Sequence, residues 1–187
     1  MTVLFLGVGS NTEREHHLRR GLDALEQLLG PLDLSPVFES DAVGILGTRF
    51  YNMVVGAECQ LGLVDLQAAL KAIEAACGRR QQSSPGRITL DIDILVYGDL
   101  AGEHYGITLP RPEVRRNAFV LWPLALLAPH ALLPGGHQTH ADLWAGWRGD
   151  QKVWPVAFNW RGQPLTPDLL LRQRLRSANP APGSGVA

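Results

Sequence analysis

Cysteine is nearly absent: Cys59 and Cys77 are the two in 187 residues, and neither stands in a C-x-x-C or another metal-ligand spacing. That excludes a disulfide-stapled scaffold and a zinc ribbon, and the expectation is two buried or half-buried thiols in a reducing compartment. An excess of one charge is also missing. With 17 Lys+Arg against 18 Asp+Glu, the formal net charge is -1, so there is no net electrostatic reason to expect nucleic acid or an anionic membrane as a partner. No apolar run approaches the roughly 20 residues needed to span a bilayer. The apolar start Met1–Gly7 lacks a basic leader and runs directly into Gly9–Ser10–Asn11, which reads as a first strand and not as a signal peptide. The expected location is the cytoplasm. The glycine-rich stretch matches neither G-x-G-x-x-G nor G-x-x-x-x-G-K-[ST], and no Ser–His–Asp or Cys–His arrangement stands out.

What is present fits one domain of ordinary size, with enough chain to bury a core. Val3–Val8 is an apolar run of strand length, and Gly7, Gly9, Ser10 and Asn11 are expected to form a turn whose role is structural rather than phosphate-binding. Thr12 with Glu15 has capping-box spacing ahead of Leu18, Leu22, Leu25 and Leu29, which predicts a helix stopped by Gly30–Pro31. Leu32–Phe38 predicts a second strand, with Pro36 pointing to an edge or a bulge. Phe50–Ala57 predicts a third strand, and Leu63, Leu66, Leu70, Ile73 and Cys77 a second helix ending at Gly78. The polar stretch 81–86 is expected to be a mobile loop.

Leu90–Tyr97 carries the chemistry. On a strand Asp91 and Asp93 share one face with Leu95 and Tyr97, while Leu90, Ile92, Ile94 and Val96 share the other. Two adjacent carboxylates repel, and burial raises at least one pKa, so a cation between them is called for. Mg²⁺ suits such an oxygen-rich pair; a plain solvated strand face is the alternative.

The order strand, helix, strand, strand, helix, strand predicts an α+β fold with a ferredoxin-like βαββαβ core, an antiparallel sheet with helices on one face. Ala118–Leu127 predicts a buried helix in which Pro123 is either a first-turn residue or a kink. His130, His137 and His140 match no zinc signature and receive no role. Trp144, Trp147, Trp154 and Trp160 read as packing residues of a C-terminal extension. The expected organisation is one domain over 1–176, with core 1–129 and extension 130–176, and a disordered tail over 177–187.

Gly9–Ser10–Asn11, Tyr51–Asn52, Glu74 with Gly78–Arg79, Thr89–Leu95 with Tyr97–Gly98, Leu109–Pro110, Phe119–Leu124 and Ala128–Pro129 form an ordered set. Over Met1 to Pro129 the chain resembles the 6-hydroxymethyl-7,8-dihydropterin pyrophosphokinase family, whose members move the terminal pyrophosphate of ATP to a pterin alcohol in folate biosynthesis. The resemblance implies that Asp91 and Asp93 bind two Mg²⁺ ions and that Asn52 and Phe119 contact the pterin. It further implies that Ser40, Val43 and Phe50 complete the pterin wall and that Glu74 and Arg79 lie near the nucleotide.

Departures from the family pattern follow the same residues. The family's Arg three residues before the first Asp is Ile88 here, with Arg87 one earlier; strict alternation would put Arg87 on the acidic face, and a bulge would not. The family's Pro–His is Pro110–Arg111, a fixed cation able to grip phosphate. Its Arg two before the Phe is Asn117, with Arg115 and Arg116 just upstream. Arg79 and Arg87 are thus the expected catalytic cations beside Asp91 and Asp93, and Arg111 and Arg116 join Glu74 and Arg79 on the nucleotide. The partners implied are ATP and a reduced pterin, with the chain a monomer or weak homodimer. The competing readings are a pterin- or nucleotide-binding homologue without the chemistry, and an unrelated D-x-D transferase or nuclease.

Overall fold

A computed structural model describes residues 1–42, 48–78 and 86–178. The elements in order are β1 (Thr2–Ser10), α1 (Arg14–Leu29), β2 (Asp33–Leu34), β3 (Val37–Asp41), β4 (Arg49–Cys59), α2 (Leu63–Ala76), β5 (Asp91–Tyr97), β6 (Gly102–His104), β7 (Ile107–Leu109), α3 (Glu113–Arg116), α4 (Ala118–Leu127), α5 (His140–Gly146), β8 (Val153–Val156), β9 (Asn159–Trp160), β10 (Gln163–Pro164) and α6 (Asp168–Ala178). The main sheet runs β5-β1-β4-β3-β8, and β2 also pairs with β4. All of these pairings are antiparallel. The expected βαββαβ core is therefore present.

The strands alternate cleanly enough to build two cores. Leu4, Leu6 and Val8 of β1, Met53 and Val55 of β4 and Ile92 and Ile94 of β5 meet Leu18, Leu22 and Leu25 of α1 and Leu66 and Leu70 of α2. Each fully buried leucine there contributes about 2 kcal/mol of transfer free energy. On the opposite face, Val54, Leu95 and Val96 meet Val120, Leu121 and Leu124 of α4, with Phe5, Trp144 and Trp147 at the margin. The two core helices α1 and α2 thus cover one face, as expected, and the all-round apolar α4, which follows the βαββαβ core, covers part of the other. What α4 leaves uncovered is where the site lies.

Four local expectations change in the folded chain. Gly7 and Gly9 belong to β1 and not to a turn. The proposed Thr12 capping box does not form, because the Thr12 hydroxyl donates to Asn11 Oδ1 (3.0 Å) and α1 starts after Glu13 in a left-handed conformation. Pro36 does interrupt pairing, dividing β2 from β3, and the Ser35 hydroxyl takes over by accepting from the Val54 N–H at 2.8 Å. β3 is nevertheless not an edge, since β8 of the C-terminal extension pairs with it.

The fourth change is a bulge. β1 and β5 keep register from Gly9↔Asp91 to Leu6↔Ile94, then shift so that Phe5 faces Val96 and Leu4 faces Tyr97. Leu95 is the extra residue, so Val96 turns to the α4 side and Tyr97 to the α1/α2 side, the reverse of strict alternation.

Candidate active site

Asp91 and Asp93 leave β5 on the face that α4 only partly covers, and the next strand clears space in front of them. Asp91 lies opposite Gly9 and Asp93 opposite Gly7 across the β1–β5 ladder. On the far side of β1, Gly9 faces Asn52 and Gly7 faces Val54. A Cβ on Gly9 would come within 3.2 Å of Asn52 Oδ1, and one on Gly7 within 3.3 Å of a Leu95 methyl. Two residues without side chains therefore let the acidic strand and the asparagine strand look onto a common space.

That space is a cavity of about 270 Å³ lined by Gly7, Gly9, Ser40, Asp41, Phe50, Asn52, Ile88, Asp91, Asp93, Glu113, Asn117 and Phe119, among others. Ser40 and Phe50 are direct partners in the β3–β4 ladder and share the face of Asn52. Asn52 Nδ2 donates to the Ser40 hydroxyl at 2.8 Å, a buried bond that orients the amide. Phe119, the second residue of α4, supplies an aromatic wall. Asn52, Ser40, Phe50, Phe119, Asp91 and Asp93, separated by up to 79 positions in the chain, meet in one cavity. Val43 lies outside the described residues.

The carboxylates are electrostatically loaded. Burial, and next the neighbouring Asp91, push the Asp93 carboxyl from its ordinary value of 3.8 up to about 6, against the opposing pull of Arg111 and Lys71. Arg111 is tied to β5 through its own backbone, whose N–H donates to the Leu95 carbonyl at 2.8 Å. Its guanidinium then returns to Asp93, with Nη2 3.1 Å from Oδ1, and Nε lies 3.4 Å from Glu113 Oε2. Among the described residues no cluster of three or more His, Cys, Asp or Glu forms a self-sufficient metal cage. A carboxylate pair that opens onto a cavity, with the charge of Asp93 disfavoured by burial, still fits a divalent cation completed by substrate oxygens and water.

Other expected site residues fall elsewhere. Glu74 is buried behind β5: Oε1 accepts from the Ile92 N–H at 2.7 Å, and Oε2 accepts from Lys71 Nζ at 2.9 Å. It thus grips the backbone between the two aspartates. Arg87 is exposed, whereas Ile88 lines the cavity. Regular strand geometry begins only at Asp91, so alternation cannot be extended back to 87. Asn11 holds this approach in place, its Oδ1 accepting from the Ile88 N–H (2.7 Å) and its own N–H donating to the Ile88 carbonyl (3.0 Å). Arg116 lines a separate groove with Arg115, Trp147 and Arg148. Arg79 lies outside the described residues.

Sequence reasoning missed Gly7 and Gly9 as site residues, along with Glu113 and Asp41. Two glycines at period two inside an apolar strand were a usable sign of close approach. Nothing comparable marked Glu113.

The sequence matches the family model for 7,8-dihydro-6-hydroxymethylpterin-pyrophosphokinase over residues 5–129. The chain belongs to that family. Among curated members it is similar to the 2-amino-4-hydroxy-6-hydroxymethyldihydropteridine pyrophosphokinase of Pseudomonas aeruginosa, 36% identical over 137 residues that cover 71% of this chain and 85% of the relative. It is also similar to the protein of the same name from Aquifex aeolicus, 30% identical over 136 residues covering 72% and 85%. In fold it is similar to the Plasmodium falciparum HPPK-DHPS structure with pteroate, with a TM-score of 0.63 at 12% identity over 77% of this chain. It spans 44% of that longer chain. The pyrophosphokinase match ends at residue 129, so α5 and β8 lie beyond it.

Proposed function

We propose that this chain transfers pyrophosphate from ATP to the hydroxymethyl group of 6-hydroxymethyl-7,8-dihydropterin, releasing AMP, as a step of folate biosynthesis. The observation that carries the proposal is the shared cavity: a carboxylate pair on β5 and an amide–aromatic pocket on β4 and α4 face one another across two glycines. Membership of a family whose members are named for this activity supports it.

In this reading Asn52, held by Ser40, presents donor and acceptor to the edge of the heterocycle, while Phe119 and Phe50 lie against its faces. Asp91 and Asp93 hold two Mg²⁺ ions, which supply charge neutralisation for the triphosphate. The pterin hydroxymethyl oxygen attacks the β-phosphorus as the bond from that phosphorus to the α-phosphate oxygen breaks; AMP leaves with that oxygen, and the hydroxyl proton passes to solvent. Such transfer needs positioning and charge compensation more than a covalent nucleophile. Arg111, already at Asp93, grips phosphate oxygens; Glu74 positions the acidic strand. Arg79 and Arg87 are kept as cations for the phosphates and Val43 as part of the pterin wall, whereas Arg116 belongs to the separate groove.

The oligomeric state that goes with this reading is a monomer or weak homodimer. Residues 1–176 act as one unit in this reading, because β8 is a strand of the same sheet. Two unpaired, buried cysteines suit a cytoplasmic setting, and among the described residues no helix is long and apolar enough to cross a membrane.

Purified protein incubated with Mg²⁺, ATP and the reduced pterin alcohol should release AMP only when the pterin is present. Pterin binding without AMP would favour a binding homologue, and AMP release indifferent to pterin would favour an unrelated hydrolase or transferase.

A further inference from the structure

Phe119 stands at the start of α4, where a helix leaves backbone N–H groups without internal partners. Its N-cap residue, Asn117, makes no capping bond with its own side chain. The missing partner comes from the C-terminal extension. Gln151 Oε1 accepts from the Ala118 N–H at 2.7 Å, and Gln151 Nε2 donates to Asn117 Oδ1 at 3.0 Å. One primary amide thus ties down the two residues immediately before Phe119.

Gln151 is itself fixed. Two positions later Val153 pairs with Ser40 at the β3–β8 seam, and Ser40 is the residue that orients Asn52. Gln151 and its neighbours Asp150 and Lys152 line a depression of about 240 Å³ with Ser40, Asp41, Ala42 and Phe119. The extension therefore connects the amide side of the cavity to its aromatic side.

We propose that Gln151 is a positioning residue for the pterin pocket: it caps α4 from outside the segment that matches the family model and so sets where Phe119 and Asn117 stand. Its two bonds reach Asn117 and Ala118 beside Phe119, and neither reaches Asp91, Asp93 or Arg111, so its loss is felt in pterin affinity and not in ATP affinity. The proposal rests on the pterin-pocket reading of the preceding section.

The test compares Gln151→Met, which keeps the shape and removes both bonds, with Gln151→Glu. A carboxylate still accepts from the Ala118 N–H, and Asn117 can turn its amide to donate to the other oxygen. Gln151→Met should raise KM for the pterin about fivefold, the scale of a lost helix cap, with KM for ATP unchanged; Gln151→Glu should restore it to within about twofold of the parent protein. Calorimetric binding of the pterin, in the presence of Mg²⁺ and a non-transferable ATP analogue, should move in the same way. Should Gln151→Met not fold, Gln151→Ser is compared instead. An unchanged pterin KM in the bond-deleting variant overturns the proposal, as does an equal rise in KM for ATP or an equal impairment by glutamate. Phe119→Ala, measured alongside, reports on the pterin-pocket reading separately: a silent Phe119→Ala sinks that reading whatever Gln151 does.

Discussion

Replacing Asp93 by asparagine should stabilise the metal-free protein while abolishing transfer. A carboxyl raised from 3.8 to about 6 binds its proton more tightly in the folded than in the unfolded state. Its stabilisation is thus complete below the unfolded pKa and is lost as pH climbs through the folded one. At about 1.36 kcal/mol per unit, the full charge penalty above that window is about 3 kcal/mol. The side chain is 30% exposed, so solvent screening reduces this to about 1–2 kcal/mol. That figure is already net of the opposing pull of Arg111.

The gain for Asp93→Asn is therefore about 1–2 kcal/mol at about pH 7.5, or about 2–8 °C in Tm for a chain of this size. Calorimetric melts in chelator should show this gain at about pH 7.5 and its decline to about a third at about pH 4.5, where the folded aspartate is protonated and only the unfolded one is still largely ionised. Taking the difference between the variant and its parent at each pH removes the contributions of other titrating groups. Millimolar Mg²⁺ should then raise the Tm of the parent at neutral pH and leave Asp93→Asn nearly unmoved. A variant that melts lower than its parent at neutral pH, or by the same offset at both pH values, would refute the argument that the Asp93 charge is only partly compensated by Arg111.

Turnover should fall by several orders of magnitude in Asp91→Ala and Asp93→Ala, with circular dichroism showing the fold retained, if the pair holds catalytic metal; wild-type rates in both variants would remove that assignment. Phe119→Ala should raise KM for the pterin about tenfold, the scale of a lost aromatic contact of ~1.4 kcal/mol, in steady-state assays with ATP saturating. Gly9→Val should weaken pterin binding in calorimetry, because its side chain would project into the cavity floor beside Asn52 Oδ1, and full affinity would contradict the role given to β1. His140 is fully buried with Nδ1 2.9 Å from the Ala128 carbonyl, and burial holds its pKa below the ordinary value of 6.5. The stability it contributes while neutral is lost as pH falls below that ordinary value, so His140→Asn should flatten the decline in urea midpoint between neutral and mildly acidic pH.

Local pattern by itself determined the βαββαβ order, α4 to the residue, the shared face of Asp91 and Asp93, and, through the resemblance, the pterin-pyrophosphokinase family. These were legible because side-chain period, helix caps and breakers act over a few residues. What the tertiary structure alone decided depends on pairing between distant segments. The bulge at Leu95 reverses Val96 and Tyr97 because an extra residue is a property of the β1–β5 ladder and not of either strand. Arg87 leaves the cavity to Ile88 because Asn11, 77 positions away, holds the backbone before regular strand geometry begins. Gly7 and Gly9 become a cavity floor only once β5 and β4 flank β1 on either side. Gln151 acquires a role only where β8 meets β3, a long-range pairing for which the loop-rich stretch before it carries no periodic signal.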